Sequence, residues 1–238
     1  MRLSIFALIP LAVACSAAPV DAPWGDEMDS DNDGLNDAEE IELGTDPDAA
    51  DSDGDGFDDA DEIDQGADPT DGTDRPYLGG WAKDRECSDS LSPSGNSVGS
   101  VTEDFELTDQ YGDTVRLHDF CGRAVMLVGS AEWCGACRDE APHLTELYQS
   151  YRDQGLMVVT LLGETDSGAA PGVEHLEAWS DQYGQDFPVV ADPGYSVASR
   201  FVTGGSIGLP TITLLGPGAE VLIADGYPQT ADIEAALP

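Results

Sequence analysis

The chain has 238 residues, 40% of them hydrophobic and 24% charged, enough for one ordinary domain plus additional segments. Its formal net charge is −39, with only nine Lys and Arg, which argues against nucleic acid as a partner, because phosphate contacts need cationic side chains. An acidic chain holds cations instead, or stays dispersed by self-repulsion.

The first residues read as an export signal. Met1-Arg2 is a minimal basic start, and Leu3 to Val13 is an apolar run too short for a comfortable membrane span. It ends in Ala12-Val13-Ala14-Cys15, which resembles a bacterial lipoprotein signal, with Ala12 standing where Leu is more usual. The resemblance implies a signal peptide over 1–14, lipidation of Cys15, a tether over 15–28 and attachment to a membrane at its periplasmic face or at the cell surface. Ordinary cleavage after Ala18 is the alternative. Five cysteines (15, 87, 121, 134 and 137) leave one odd thiol in an oxidising compartment, and lipidation of Cys15 removes it.

Acid is densest from Asp21 to Asp74, a stretch without Lys or Arg. Within it, residues 29–70 repeat with a spacing of 22: Asp29-Ser30-Asp31-Asn32-Asp33-Gly34 returns as Asp51-Ser52-Asp53-Gly54-Asp55-Gly56. Asp29, Asp31, Asp33, Asp37 and Glu40 occupy places 1, 3, 5, 9 and 12 of a twelve-residue loop, with Gly34 at place 6. Asp51, Asp53, Asp55, Asp59 and Glu62 repeat this layout around Gly56, and Leu35 and Phe57 offer backbone carbonyls at place 7. Alternating carboxylates, a turn glycine and a closing Glu are the oxygen set of a calcium loop. No amphipathic helix enters either loop, so these are not complete EF-hands. They resemble thrombospondin type 3 repeats, which implies structural calcium; a disordered acidic spacer is the alternative.

Residues 71–97 read as a linker rich in Gly, Ser, Pro and Asp, with Trp81 and Cys87 as anchoring features. From residue 98 to 238 strand and helix patterns alternate. Phe105–Thr108 and Thr114–Leu117 suggest a hairpin around Gly112-Asp113, and Ala124–Val128 is an apolar run expected of a strand buried on both faces. Ala141, Leu144, Leu147, Tyr148 and Tyr151 share a helix face that Gly155 ends. Leu156–Leu162 is a second buried strand, followed by helices over 173–183 and 194–202 with a strand Phe187–Val190 between them. Strands Thr211–Leu215 and Glu220–Ala224 and a helix over 229–236 close an α/β fold with a mixed central sheet flanked by helices.

Between the first buried strand and its helix stands Trp133-Cys134-Gly135-Ala136-Cys137. A cysteine at a helix start gains unpaired N–H groups and the helix dipole, which favour the thiolate. Two intervening residues place the second sulfur one turn away, so Cys134 is read as nucleophile and Cys137 as resolving thiol. Half of a zinc site and an inert disulfide are the competing readings. Ser130 to Cys137 resembles the thioredoxin active-site segment, and Gly208-Leu209-Pro210-Thr211 resembles that fold's cis-proline loop.

Phe105-Glu106-Leu107, Cys137-Arg138-Asp139-Glu140-Ala141-Pro142 and Phe187-Pro188-Val189-Val190-Ala191-Asp192 are similar to exported, tethered TlpA/ResA-like reductases, bordering the AhpC/TSA superfamily. The resemblance implies a thioredoxin fold and thiol–disulfide exchange on protein substrates, without an organic cofactor. In it Pro210 keeps a backbone edge free for substrate, and Glu140 takes the proton of Cys137. Val128 replaces the buried Asp of thioredoxin itself, which leaves Glu140, or else makes it only a solvated helix residue. Leu127 and Ala131 stand where a peroxidase needs Pro and Thr or Ser, so thiol peroxidase chemistry is disfavoured. Cys87 and Cys121 read as a structural disulfide worth about 3 kcal/mol, with a redox relay as the alternative. The rival function is a calcium-dependent cell-surface interaction protein that uses the fold as a scaffold.

Overall fold

The computed structural model describes residues 28–238. The signal peptide, Cys15 and all but the last residue of the tether lie outside them. Among the described residues no helix is long and apolar enough to cross a membrane.

The continuous apolar runs become the central strands. β3 (Ala124–Ser130) and β4 (Leu156–Leu162) are buried along their whole length and pair in parallel, with Val128 opposite Thr160. The sheet order is β5-β4-β3-β6-β7, with β5 at Val189–Ala191, β6 at Thr211–Leu215 and β7 at Val221–Ile223. β5 is parallel to β4, whereas β6 and β7 run antiparallel. This is the mixed sheet of a thioredoxin fold. α4 (Gly135–Tyr151), α5 (Val173–Tyr183) and α6 (Thr230–Ala236) complete it. α4 packs Cys137, Ala141, Leu144 and Tyr148 inward, and each large apolar side chain so buried contributes roughly 1.5–3 kcal/mol. β1 (Glu106–Thr108) and β2 (Thr114–Arg116) form the expected hairpin, a separate antiparallel pair that touches β5 through Asp109 and Val190.

One expectation is corrected. The span 194–202 is not one helix but two 3₁₀ turns, Pro193–Tyr195 and Ala198–Phe201. The buried Asp192 carboxylate collects Ser196 Oγ and the N–H groups of Val197 and Ala198, which holds the chain in turns. The stretch 71–97 is anchored at the two residues singled out in it, Trp81 and Cys87. Tyr77 and Trp81 are buried, Trp81 Nε1 donates to Asp186 O at 3.3 Å, and α3 (Arg85–Ser90) carries Cys87 into a disulfide with Cys121.

In the acidic region each loop runs into a seven-residue helix, α1 (Asp37–Leu43) and α2 (Asp59–Gln65). The side chains these helices bury are carboxylates: Asp37 and Glu40 in α1, Asp59 and Glu62 in α2.

Candidate functional site

Two clusters carry chemistry. The first lies where β3 ends. Ser130 closes the strand, and three residues later the chain turns into α4 with Cys134 as its N-cap. Cys134 and Cys137 form a disulfide with Cα atoms 5.3 Å apart, and the Cys137 N–H donates to Cys134 Sγ at 3.1 Å. That donor is one of the helix-end N–H groups without a partner inside the helix, so the sulfur sits where negative charge is favoured. Cys134 is 5% exposed and Cys137 1%, an arrangement in which the first sulfur meets an incoming group and the second waits beneath it. Trp133 is 49% exposed beside them.

The pairing of β3 with β6 sets Gly129 opposite Thr211, so the residue before β6, Pro210, falls beside the end of β3. The Leu209–Pro210 peptide is cis. Gly129 is required for this approach: a Cβ there would stand 2.6 Å from Thr211 Cγ2 and 2.9 Å from Ala198 Cβ. Glu140 is half-buried on α4, one turn past Cys137. It lies close enough to Tyr227 that its charge, after burial, helps push that phenol's pKa up. The structure thus gathers Trp133, Cys134, Cys137 and Glu140 at one helix start, with Pro210 just ahead of the neighbouring strand β6.

Sequence reasoning missed the groups that hold this lip. Glu164 Oε2 accepts from Trp133 Nε1 at 2.7 Å and from Tyr195 Oη at 3.2 Å. Arg138 donates from Nε to Glu132 O and from Nη2 to Asp166 Oδ1 at 2.8 Å. No motif signalled the side-chain pairs, because Glu164 lies 31 residues from both Trp133 and Tyr195 and Asp166 lies 28 from Arg138.

The second cluster is acidic. One oxygen each of Asp29, Asp31 and Asp33 lie within 4.8 Å of one another, and so do those of Asp51, Asp53 and Asp55. Two aspartates in each loop tie one carboxylate oxygen to the loop's own backbone: Asp33 N–H donates to Asp31 Oδ1, Leu35 N–H to Asp33 Oδ1, Asp55 N–H to Asp53 Oδ1 and Phe57 N–H to Asp55 Oδ1. The other oxygens of Asp31, Asp53 and Asp55, and both oxygens of Glu40 and Glu62, are buried without a partner. Fully buried, and facing Asp31 and Asp33, the Glu40 carboxyl is pushed up to about 7; Glu62 is pushed to about 7 by burial and then by Asp53 and Asp55. Orphaned, inward-facing oxygens at two equivalent places are what a hard divalent cation would satisfy, so the residues fit calcium. Asp37 and Asp59 do not join the clusters as expected. Both oxygens of Asp37 are taken by the N–H and Oγ of Ser30, and both of Asp59 by those of Ser52. They hold the loops closed.

Two family profiles match separate parts of the chain. The AhpC/TSA family profile matches residues 98–221, and the bacterial TSP3 repeat profile matches residues 29–47 and 51–72. Over 143 residues the chain is 34% identical to the thiol-disulfide oxidoreductase ResA of Geobacillus kaustophilus (strain HTA426), covering 59% of this chain and 76% of the relative. It is 32% identical over 126 residues to ResA of Bacillus thuringiensis subsp. konkukian (strain 97-27), covering 52% and 67%. Among solved structures, a thioredoxin-family thiol:disulfide interchange protein from Chlorobium tepidum TLS aligns with a TM-score of 0.49 at 17% identity, covering 62% of this chain and all of that one.

Proposed function

The chain belongs to the AhpC/TSA family, and from that premise we propose that it is a thiol–disulfide oxidoreductase whose working couple is Cys134 and Cys137, acting on protein thiols and disulfides. The observation that carries this is the N-cap position of Cys134, with its sulfur accepting the Cys137 N–H.

In the reducing direction the Cys134 thiolate attacks a client disulfide. A mixed disulfide forms and one client thiolate leaves. Cys137 then loses its proton and attacks Cys134 Sγ, which closes the Cys134–Cys137 disulfide and frees the second client sulfur. Two electrons pass to the client, and the opposite direction reverses each step. Glu140, one turn from Cys137, is the carboxylate suited to take that proton. Pro210 borders the edge along which the client would lie, and Trp133 flanks its approach. Insulin-disulfide reduction tests the assignment: Cys134→Ser should abolish turnover, Cys137→Ser should accumulate a mixed disulfide, and equal rates for wild type and Cys134→Ser would overturn it.

Export and a lipid anchor at Cys15 belong to the same proposal. Their support is the N-terminal sequence, together with the pairing of the other four cysteines as 87–121 and 134–137. Metabolic labelling with a fatty acid, lost in Cys15→Ser, checks it.

The repeats would hold calcium through Asp29, Asp31, Asp33 and Glu40, and through Asp51, Asp53, Asp55 and Glu62, with Leu35 and Phe57 offering carbonyls. Bound there, the ion would neutralise converging carboxylates and fix the loops. Residues 29–70 and 98–238 would act as calcium-binding and redox units. The stretch from Asp74 to Arg85 serves as a docking strap between them, since Lys83 N–H donates to Gln65 O at 2.8 Å and Arg75 pairs with Asp113 at 2.6 Å.

A further inference from the structure

We infer that Glu164 is a positioning residue for the redox couple: its carboxylate fixes Trp133, the neighbour of Cys134, and is itself braced by Tyr195. The inference deepens the assignment of Cys134 and Cys137 and rests on it.

Glu164 owes its place to the segment that carries the cysteines. Past the end of β4, the Gly163 N–H donates to Ser130 O and the Glu132 N–H donates to Glu164 O, both at 2.9 Å. The ladder between β3 and β4 therefore continues into the loop, and the carboxylate is held one residue from Trp133's own backbone. Its Oε2 then accepts the indole N–H at 2.7 Å.

Burial does not demand this bond. Trp133 is 49% exposed, so water would satisfy the indole if nothing else did. A protein partner in that position instead removes the ring's rotational freedom. Because Trp133 directly precedes Cys134, its rotamer decides what a client meets on the way to the sulfur, and orientation of reacting groups is where exchange gains rate.

The brace is equally specific. Tyr195 Oη donates to the same Oε2 at 3.2 Å. Its backbone has a φ of 59°, in the left-handed region, where the Tyr195 N–H is pinned to Asp192 O at 2.8 Å. The ring crosses Gly163 so closely that a Cβ there would come within 2.2 Å of it. A glycine, a left-handed tyrosine and a carboxylate are thus arranged around one indole.

Full-length E164A, E164Q and Y195F, each with and without W133F, test the inference. Two quantities are read: acrylamide quenching of Trp133, obtained by subtracting the W133F signal, and kcat and KM for insulin reduction. E164A should increase quenching and lower kcat/KM by about tenfold, the size of a lost charge-assisted hydrogen bond. E164Q keeps an acceptor oxygen and should recover most of both. In the W133F background, E164A should have no further effect on turnover.

Wild-type quenching and turnover in E164A, or an equal loss with and without Trp133, would overturn the role. Y195F should move both readings in the same direction by less, and it keeps the question open to test where E164A does not fold. Quenching is also readable in C134S, so a failed nucleophile assignment is distinguishable from a failed role for Glu164.

Discussion

The two regions of this chain bury opposite things. Around the sheet, β3, β4 and β6 are apolar and nearly inaccessible, and the largest buried side chains are Phe120, Phe187 and a set of leucines. In the repeats, Asp37, Glu40, Asp59 and Glu62 are inside, while Ile41 and Ile63 stand 57% and 41% exposed. The first region is held by removal of apolar surface from water, which needs nothing but the chain. The second has placed its acids where only a cation would compensate them. A repeat of this kind is a conditional structure, and the redox domain is an unconditional one.

The sharpest way to break that contrast is to cut each interior in turn. Phe187 is fully buried, and its ring meets Tyr148 edge-on at 5.1 Å between centroids. Phe187→Ala should cost about 3–5 kcal/mol in urea unfolding of the redox domain, with or without calcium. Ile41→Ala, the same kind of truncation in the repeats, should stay within about 0.5 kcal/mol. A large loss at Ile41 would show an apolar core in the repeats after all. Glu62→Gln should weaken calcium binding on the order of tenfold or more by calorimetry, while making the cation-free repeat more stable, since it removes a carboxyl that faces Asp53 and Asp55.

Protonation sharpens the comparison further. In the cation-free fold the Glu40 and Glu62 carboxyls hold protons to about pH 7, against an ordinary value of 4.5. Between those values the folded repeat binds more protons than the unfolded chain, so its stability falls as pH rises through the window. Calcium needs the ionised form, so its affinity should rise over the same window, and calcium added at pH 6 should release protons into a weakly buffered solution. Calcium affinity that is flat from pH 5 to pH 8 would mean these two acids are not ligands.

The same contrast explains what was legible in the sequence. The buried strands could be read because an apolar run is a local signal, and so could the cysteine pair, because its geometry is set by one helix turn. The repeats could be read from ligand order at a spacing of 22. The seryl partners of Asp37 and Asp59 were overlooked although their sign was present: Ser30 and Ser52 recur at that spacing too, and each occupies both oxygens of its aspartate. Trp81 and Cys87 stood out as anchors of 71–97, but where Trp81 docks was not legible, since it finds its partner at Asp186, 105 residues away. The residue pattern around Tyr77 and Trp81 has no period, because each is placed by tertiary contacts and not by a regular element. Glu164 escaped for the same reason.

The smallest expected effect tests whether the conditional region reports to the unconditional one. Arg75 reaches both: its guanidinium pairs with Asp113 at 2.6 Å and lies 5.9 Å from the centre of the Phe57 ring, in the second repeat. The other Asp113 oxygen accepts the Leu78 N–H at 2.7 Å, so that carboxylate stays hydrogen-bonded when Arg75 is removed. With 40% of the Arg75 side chain exposed, the pair is screened, and Arg75→Met should cost only about 1 kcal/mol. Its informative consequence is on coupling. Calcium that orders the second repeat should raise the melting temperature of the redox domain in the wild type, because the strap from Asp74 to Arg85 touches both. Arg75→Met should shrink that increment while leaving calcium affinity close to wild type. An undiminished increment would place the coupling in the backbone contacts of Lys83 and Gln65, and no increment in either protein would mean that the two regions share a surface without sharing stability.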